Sequence, residues 1–161
     1  MTAVLVTGMS GTGKSSVLAE LARRGHRVVD TDDGDWLDEV PLAAGGTERL
    51  WREKAIEALL DDHADGTLFL SGCVANQGTF YPRFDAVVLL SAPADVILER
   101  IATRETNRFG RAEHERAAIL RDLGDVEPLL RDGATVELDT RAPLGEIADA
   151  LERIAATSKR G

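Results

Sequence analysis

The stretch Gly8-Met9-Ser10-Gly11-Thr12-Gly13-Lys14-Ser15 constrains this chain more than any other feature. It fits the pattern Gly-x-x-x-x-Gly-Lys-Ser/Thr. It stands between the apolar run Ala3 to Val6 and a segment, Ser16 to Arg24, whose Val17, Leu18 and Leu21 share one helical face. A strand, a glycine-rich loop and a helix in that order let backbone N–H groups turn inward around phosphate oxygens, and the helix N-terminus adds a favourable dipole. The expectation is a nucleoside triphosphate site formed by Gly8, Ser10, Gly11, Thr12, Gly13, Lys14, Ser15 and Ser16. Lys14 is expected to reach the β- and γ-phosphates, and Ser15 to offer its hydroxyl to Mg²⁺. The loop by itself says nothing about what accepts a phosphoryl group.

Four more short apolar runs have the length of buried strands: Val28 to Val29, Leu68 to Leu70, Val87 to Leu90 and Val136 to Leu138. Helical spacing falls between most of them. Leu50 to Leu60 aligns Leu50, Trp51, Ile56, Leu59 and Leu60; Val96, Ile97 and Ile101 follow Pro93; Leu144, Ile147, Leu151 and Ile154 follow Pro143. Strands alternating with helices predict an α/β fold, a single domain over 1–161 in three layers with helices on both faces of a parallel sheet. Arg104 to Arg131 has no strand and many charges, which predicts a helical excursion over the sheet's edge. Gly34, Gly45 and Gly46 predict mobile connections after the second strand.

Charge narrows the function classes. Nineteen Lys and Arg against 28 Asp and Glu leave a net charge of -9, the wrong sign for a nucleic-acid footprint or an anionic membrane surface. No apolar run approaches 18 residues, so no membrane span is expected. The single cysteine, Cys73, cannot form an intrachain disulfide, and Met1 to Thr7 carries neither a basic start nor a long apolar core, which together predict a cytoplasmic location. Cys73 is expected to be a small packing residue. His26, His63 and His114 lack metal-ligand spacing and are expected at the surface or at helix ends.

Val28-Val29-Asp30-Thr31-Asp32-Asp33-Gly34-Asp35 ends the second strand in carboxylates. In a parallel sheet its carboxyl end opens onto the crevice of the glycine-rich loop. One carboxylate there can hold Mg²⁺ through water and a second can accept a proton from an attacking hydroxyl, with Asp30 and Asp32 as the candidates. From Asp30 to Glu39 there are six carboxylates and no basic residue, and the next cations are Arg49, Arg52 and Lys54. Such a field predicts a neutral or cationic acceptor over one that carries a second phosphate. Trp36 and Trp51 flank the same region, as core or as pocket lining.

The glycine-rich loop and Asp30-Thr31-Asp32 resemble those of the small P-loop kinases of the shikimate kinase and gluconate kinase type, within the nucleoside monophosphate kinase fold. The resemblance implies five parallel strands in the order 2-3-1-4-5, ATP and Mg²⁺ as cofactors, and γ-phosphoryl transfer to a hydroxyl of a small molecule. It implies Asp30 in the Mg²⁺ site, Asp32 against the acceptor hydroxyl, and Arg52 and Gly72 as acceptor contacts. It also implies a short helical lid over about 104–116, with Arg104 and Pro143 on the two faces of the adenine and Arg108 and Arg111 near the transferring group. The Arg-Pro-Leu-Leu lid signature of shikimate kinases is absent, and Tyr81-Pro82-Arg83 reads as a turn. The expected partner is a small-molecule acceptor, the chain acting as a monomer or homodimer. The alternatives are a nucleoside monophosphate kinase and a non-catalytic ATP-dependent switch.

Overall fold

The computed structural model describes residues 2–9, 11–103 and 113–157. Five strands, β1 (Thr2–Thr7), β2 (Arg27–Asp30), β5 (Thr67–Ser71), β6 (Ala86–Ser91) and β7 (Val136–Asp139), form one parallel sheet in the order β2-β5-β1-β6-β7. Numbered within that sheet alone, this is the expected order 2-3-1-4-5. The two extra numbers belong to an antiparallel hairpin, β3 (Leu37–Pro41) and β4 (Thr47–Trp51), outside the main sheet.

Alternation along each strand delivers apolar groups to both faces. Val4, Val6, Phe69, Val88 and Leu90 enter one core under α1 (Lys14–Arg23) and α6 (Leu144–Thr157), where they meet Leu18, Leu21, Ala148 and Leu151. Ala3, Leu5, Leu68, Leu70 and Val87 enter the opposite core with α2 (Glu53–Asp62), a 3₁₀ turn over Gln77–Arg83, and Trp51. A third cluster joins α3 (Ala94–Ala102) to α4 (Glu113–Asp125) through Ile97, Leu98, Ile101 and Ile119. A last helix, α5 (Glu127–Gly133), leads into β7.

The hairpin corrects the helical reading of Leu50 to Leu60. Leu50 and Trp51 are strand, α2 begins at Glu53, and Gly45-Gly46 belong to a turn closed by hydrogen bonds from Leu42 N to Gly46 O (3.1 Å) and from Gly45 N to Leu42 O (3.0 Å). The Asn76 side chain decides the matter from a distance in sequence. It accepts from Trp51 N (2.9 Å) and donates to Trp51 O (3.0 Å), so the residue that the helical spacing assigned to α2 is held as the end of β4. Trp51 is 2 % exposed, its indole edge-on to Phe80.

Trp51 also explains a glycine. Its Nε1 donates to Thr31 Oγ1 (3.0 Å), which donates to Ser71 O (2.7 Å), and a Cβ on Gly72 would lie 2.6 Å from that hydroxyl and 2.9 Å from the indole. Both neighbours are buried and held by hydrogen bonds. Gly72→Ala should therefore destabilise the fold by about 1–3 kcal/mol, the usual cost of overpacking, read as a clear fall in Tm. An unchanged Tm would mean that this contact relaxes freely.

Candidate active site

Parallel pairing brings the carboxyl ends of β1, β2, β5 and β6 to one edge of the sheet, and the glycine-rich loop leaves β1 there, at the point where the chain order reverses. The loop runs into α1 through Gly13, whose φ of 95° is left-handed and whose position as N-cap carries no side-chain cap. The first amides of a ten-residue helix are thus left for an anion. Thr12 Oγ1 braces the loop by donating to Met9 O (2.7 Å). Lys14 Nζ donates to Gly8 O (2.5 Å) and Met9 O (3.2 Å), which places its ammonium over the loop.

Ser15 and Asp30, predicted from separate motifs, meet. Ser15 Oγ donates to Asp30 Oδ2 (2.9 Å), and the other carboxylate oxygen accepts from Asp32 N (3.0 Å), which fixes the turn beyond β2. Among the described residues no three His, Cys, Asp or Glu side chains gather to hold a metal by themselves. Ser15 and Asp30 suit a cation such as Mg²⁺ that draws most of its octahedral shell from phosphate oxygens and water.

Two clefts open from the loop. One, of about 470 Å³, is lined by Gly11, Thr12, Gly13 and Ser16 of the loop and helix start, by Arg100, and by Thr140, Arg141 and Ala142 after β7. Pro143 sits in that same loop, where its carbonyl accepts from Glu146 N and Ile147 N at the start of α6. Arg100 was not singled out for a role in the sequence. Its guanidinium donates to Gly11 O (3.2 Å), Thr140 Oγ1 (2.9 Å) and Thr140 O (2.7 Å), tying the phosphate loop to the far wall. Its position on the inward face of α3, beside buried Ile97 and Ile101, is the signal that could have marked it.

The second cleft, of about 220 Å³, contains Met9, Lys14, Asp32, Arg49, Cys73 and, from α4, Ile119, Asp122 and Leu123. Arg49 Nη2 lies 3.4 Å from Asp32 Oδ1. Burial pushes the Cys73 thiol up, and Lys14 only partly offsets this, so the side chain is a neutral wall of the cleft and not a thiolate. Arg52 stands elsewhere: it is the N-cap residue of α2, paired with Asp38 at 2.8 Å and lining a separate open groove on the hairpin. Gly72 likewise meets Thr31 and Trp51 and does not line the small cleft.

Trp36 is half-buried against the α2-side core. His63, at the C-cap of α2, is buried, with Nε2 3.1 Å from Thr2 O and 3.2 Å from Gly66 O. His26 sits half-buried at the end of α1, 2.7 Å from Glu152. Arg83 pairs with Asp61 at 2.6 Å, away from the site, as a turn residue would. Ser10, Arg104, Arg108 and Arg111 lie outside the described residues, as does the His114 side chain.

A protein-family model described as "AAA domain" matches residues 4–121, well over half of the chain. The chain belongs to the AAA domain family. The match takes in the glycine-rich loop, the Asp30-to-Asp32 turn and α4 up to Arg121. A curated relative of this AAA-domain chain, "Uncharacterized protein YqaC" of Bacillus subtilis (strain 168), is 36 % identical over 107 residues, 65 % of this chain and 57 % of that protein. The aligned part thus spans little more than half of the relative's length. Among solved structures, the shikimate kinase of Acinetobacter baumannii in complex with shikimate aligns over 100 % of this chain and 96 % of its own, with a TM-score of 0.64 and 16 % identity. The shikimate kinase of Bacteroides thetaiotaomicron gives 0.63 over 94 % and 98 %, with 17 % identity. A sugar kinase from Janibacter sp. HTCC2649 gives 0.57 over 100 % and 99 %, with 20 % identity. At these identities the likeness is one of fold, and it matches the resemblance that the loop and Asp30-Thr31-Asp32 carried.

Proposed function

We propose that the protein transfers the γ-phosphoryl group of MgATP to a hydroxyl of a small molecule. The observation that carries this reading is the pair of clefts meeting at one phosphate loop, with Lys14 on the loop and Asp32 in the smaller cleft beside it. A nucleotide in the larger cleft would direct its terminal phosphate toward Lys14 and the smaller cleft. Bound MgATP supplies the phosphoryl group and a divalent charge that neutralises it. The loop amides and Lys14 hold the phosphates, and Ser15 with Asp30 hold the metal. Asp32 orients the acceptor hydroxyl and takes its proton. Arg100 and the loop containing Pro143 form the far end of the nucleotide cleft.

The segment 104–116 serves as the lid, with Arg104 at its entrance and Arg108 and Arg111 stabilising charge on the transferring group. Closure over both clefts would exclude water and suppress hydrolysis. Arg49 takes the acceptor-side position that the resemblance assigned to Arg52. Its charge is matched by Asp32, and among the described residues the other cation lining the cleft is Lys14, which the nucleotide's phosphates would engage, so a phosphate acceptor is poorly served.

The test compares kcat/KM at fixed MgATP for AMP, CMP and UMP against uncharged and cationic hydroxyl compounds. Hydroxyl-dependent ADP formation is expected, with the monophosphates poor. Efficient phosphorylation of a nucleoside monophosphate, with every hydroxyl compound inert, would establish the monophosphate kinase instead. ATP binding with no acceptor-dependent turnover across the panel would favour the switch.

A further inference from the structure

We infer that the acceptor carries a positively charged amine and that Asp122 of α4 recognises it. The inference rests on the phosphotransferase reading and adds the substrate's charge and the residue that selects it. Ile119, Asp122 and Leu123 occupy positions i, i+3 and i+4 of α4, and all three line the small cleft. Asp122 therefore lines that cleft as an exposed carboxylate between two apolar side chains, and Asp32 lines the same cleft from the turn beyond β2.

Each other charge in the cleft has a counterpart. Lys14 stands over the phosphate loop on the carbonyls of Gly8 and Met9, where the charge of a bound triphosphate would meet it, and Arg49 faces Asp32. The exposed Asp122 carboxylate has no hydrogen-bond or ion-pair partner among the described residues, so once a nucleotide's phosphates engage Lys14 it is the charge in the cleft, among those residues, that lacks a counter-charge. An ammonium group on the acceptor would match it through a charge-assisted hydrogen bond. A carboxylate or phosphate in the same place would meet like charge beside apolar walls. The cleft has a volume of about 220 Å³. The acceptor that fits is thus small and polar, a hydroxyl compound of single-ring size or less, its hydroxyl toward Asp32 and its amine toward α4.

The experiment uses paired acceptors: glucosamine, galactosamine and 3-aminopropanol, each beside its N-acetyl derivative and its hydroxyl counterpart. ADP release is measured for the wild type, Asp122→Asn and Asp122→Glu. The wild type should favour the amines by about 10- to 100-fold in kcat/KM, the span of one hydrogen bond to a charged group. Asp122→Asn should erase that preference through KM with kcat nearly constant, because the charge binds ground and transition states alike. Asp122→Glu should restore part of it, and ADP affinity should be the same in all three proteins. Equal turnover of amines and neutral partners by the wild type, or an amine preference that survives Asp122→Asn, overturns the inference and leaves the phosphotransferase reading standing. If every hydroxyl compound is inert, both fall together.

Discussion

Lys14→Ala should eliminate detectable phosphoryl transfer from a chain that still folds. The side chain leaves the first residue of α1, and its ammonium sits on the carbonyls of Gly8 and Met9, over the glycine-rich loop. As negative charge shifts from the transferring phosphoryl toward the leaving oxygen, a cation fixed there stabilises the transition state without any reorganisation. Removal of one neutral donor of this kind costs about 10²–10³ in kcat, and a full positive charge is worth at least as much. Folding draws on other atoms of the helix: Val17, Leu18 and Leu21 are buried against the sheet and Lys14 is not among them. The expected result is a near-native Tm, weakened ATP binding and no ADP above background. Turnover at the wild-type rate would remove this loop from the chemistry.

Asp32→Asn should lower kcat by about 10²–10⁴, the usual range for a positioned general base. ATP affinity should change little, because the carboxylate that bonds Ser15 is Asp30 and not Asp32. Stability should also hold. The contact with Arg49 is 3.4 Å long between side chains that are about half exposed, and such pairs contribute under about 1 kcal/mol. Amide replaces carboxylate without loss of shape, so the variant isolates the proton-accepting role. Loss of ATP affinity with kcat retained would make Asp32 a metal ligand and reverse its role with that of Asp30.

Much of this site was legible before folding is considered. Gly8 to Ser15 is a contiguous stretch whose backbone path follows from its own glycines, and its place between a strand and a helix follows from the apolar runs on either side. The meeting of Ser15 with Asp30 was legible for a related reason, since parallel strands all present their carboxyl ends at one edge. Leu50 to Leu60 shows where such reading stops. Five apolar positions there satisfy helical spacing, yet residues 47–51 pair with 37–41, and Asn76 holds Trp51 by both backbone groups. Periodicity weighs a segment against its own neighbours, and a hydrogen bond from 25 residues away outweighs it.

The choice between arginines has the same origin. Arg49 lies on β4 two residues before Trp51, so strand alternation places both on one face of the hairpin, and Arg49 comes to the small cleft while Trp51 goes into the core. Arg52, just beyond the strand's end, turns to Asp38. The sequence alone determined the phosphate loop and the Ser15–Asp30 meeting, because local backbone geometry and the direction of parallel strands require no distant partner, whereas the order of the five strands was implied by the resemblance to small P-loop kinases. Only the tertiary structure decided which arginine faces Asp32, that Arg100 joins Gly11 to Thr140, and that Asp122 lines the small cleft. These contacts join residues 17 to about 90 positions apart, and their geometry is set by how α3, α4 and the hairpin pack, which spacing along the chain does not encode.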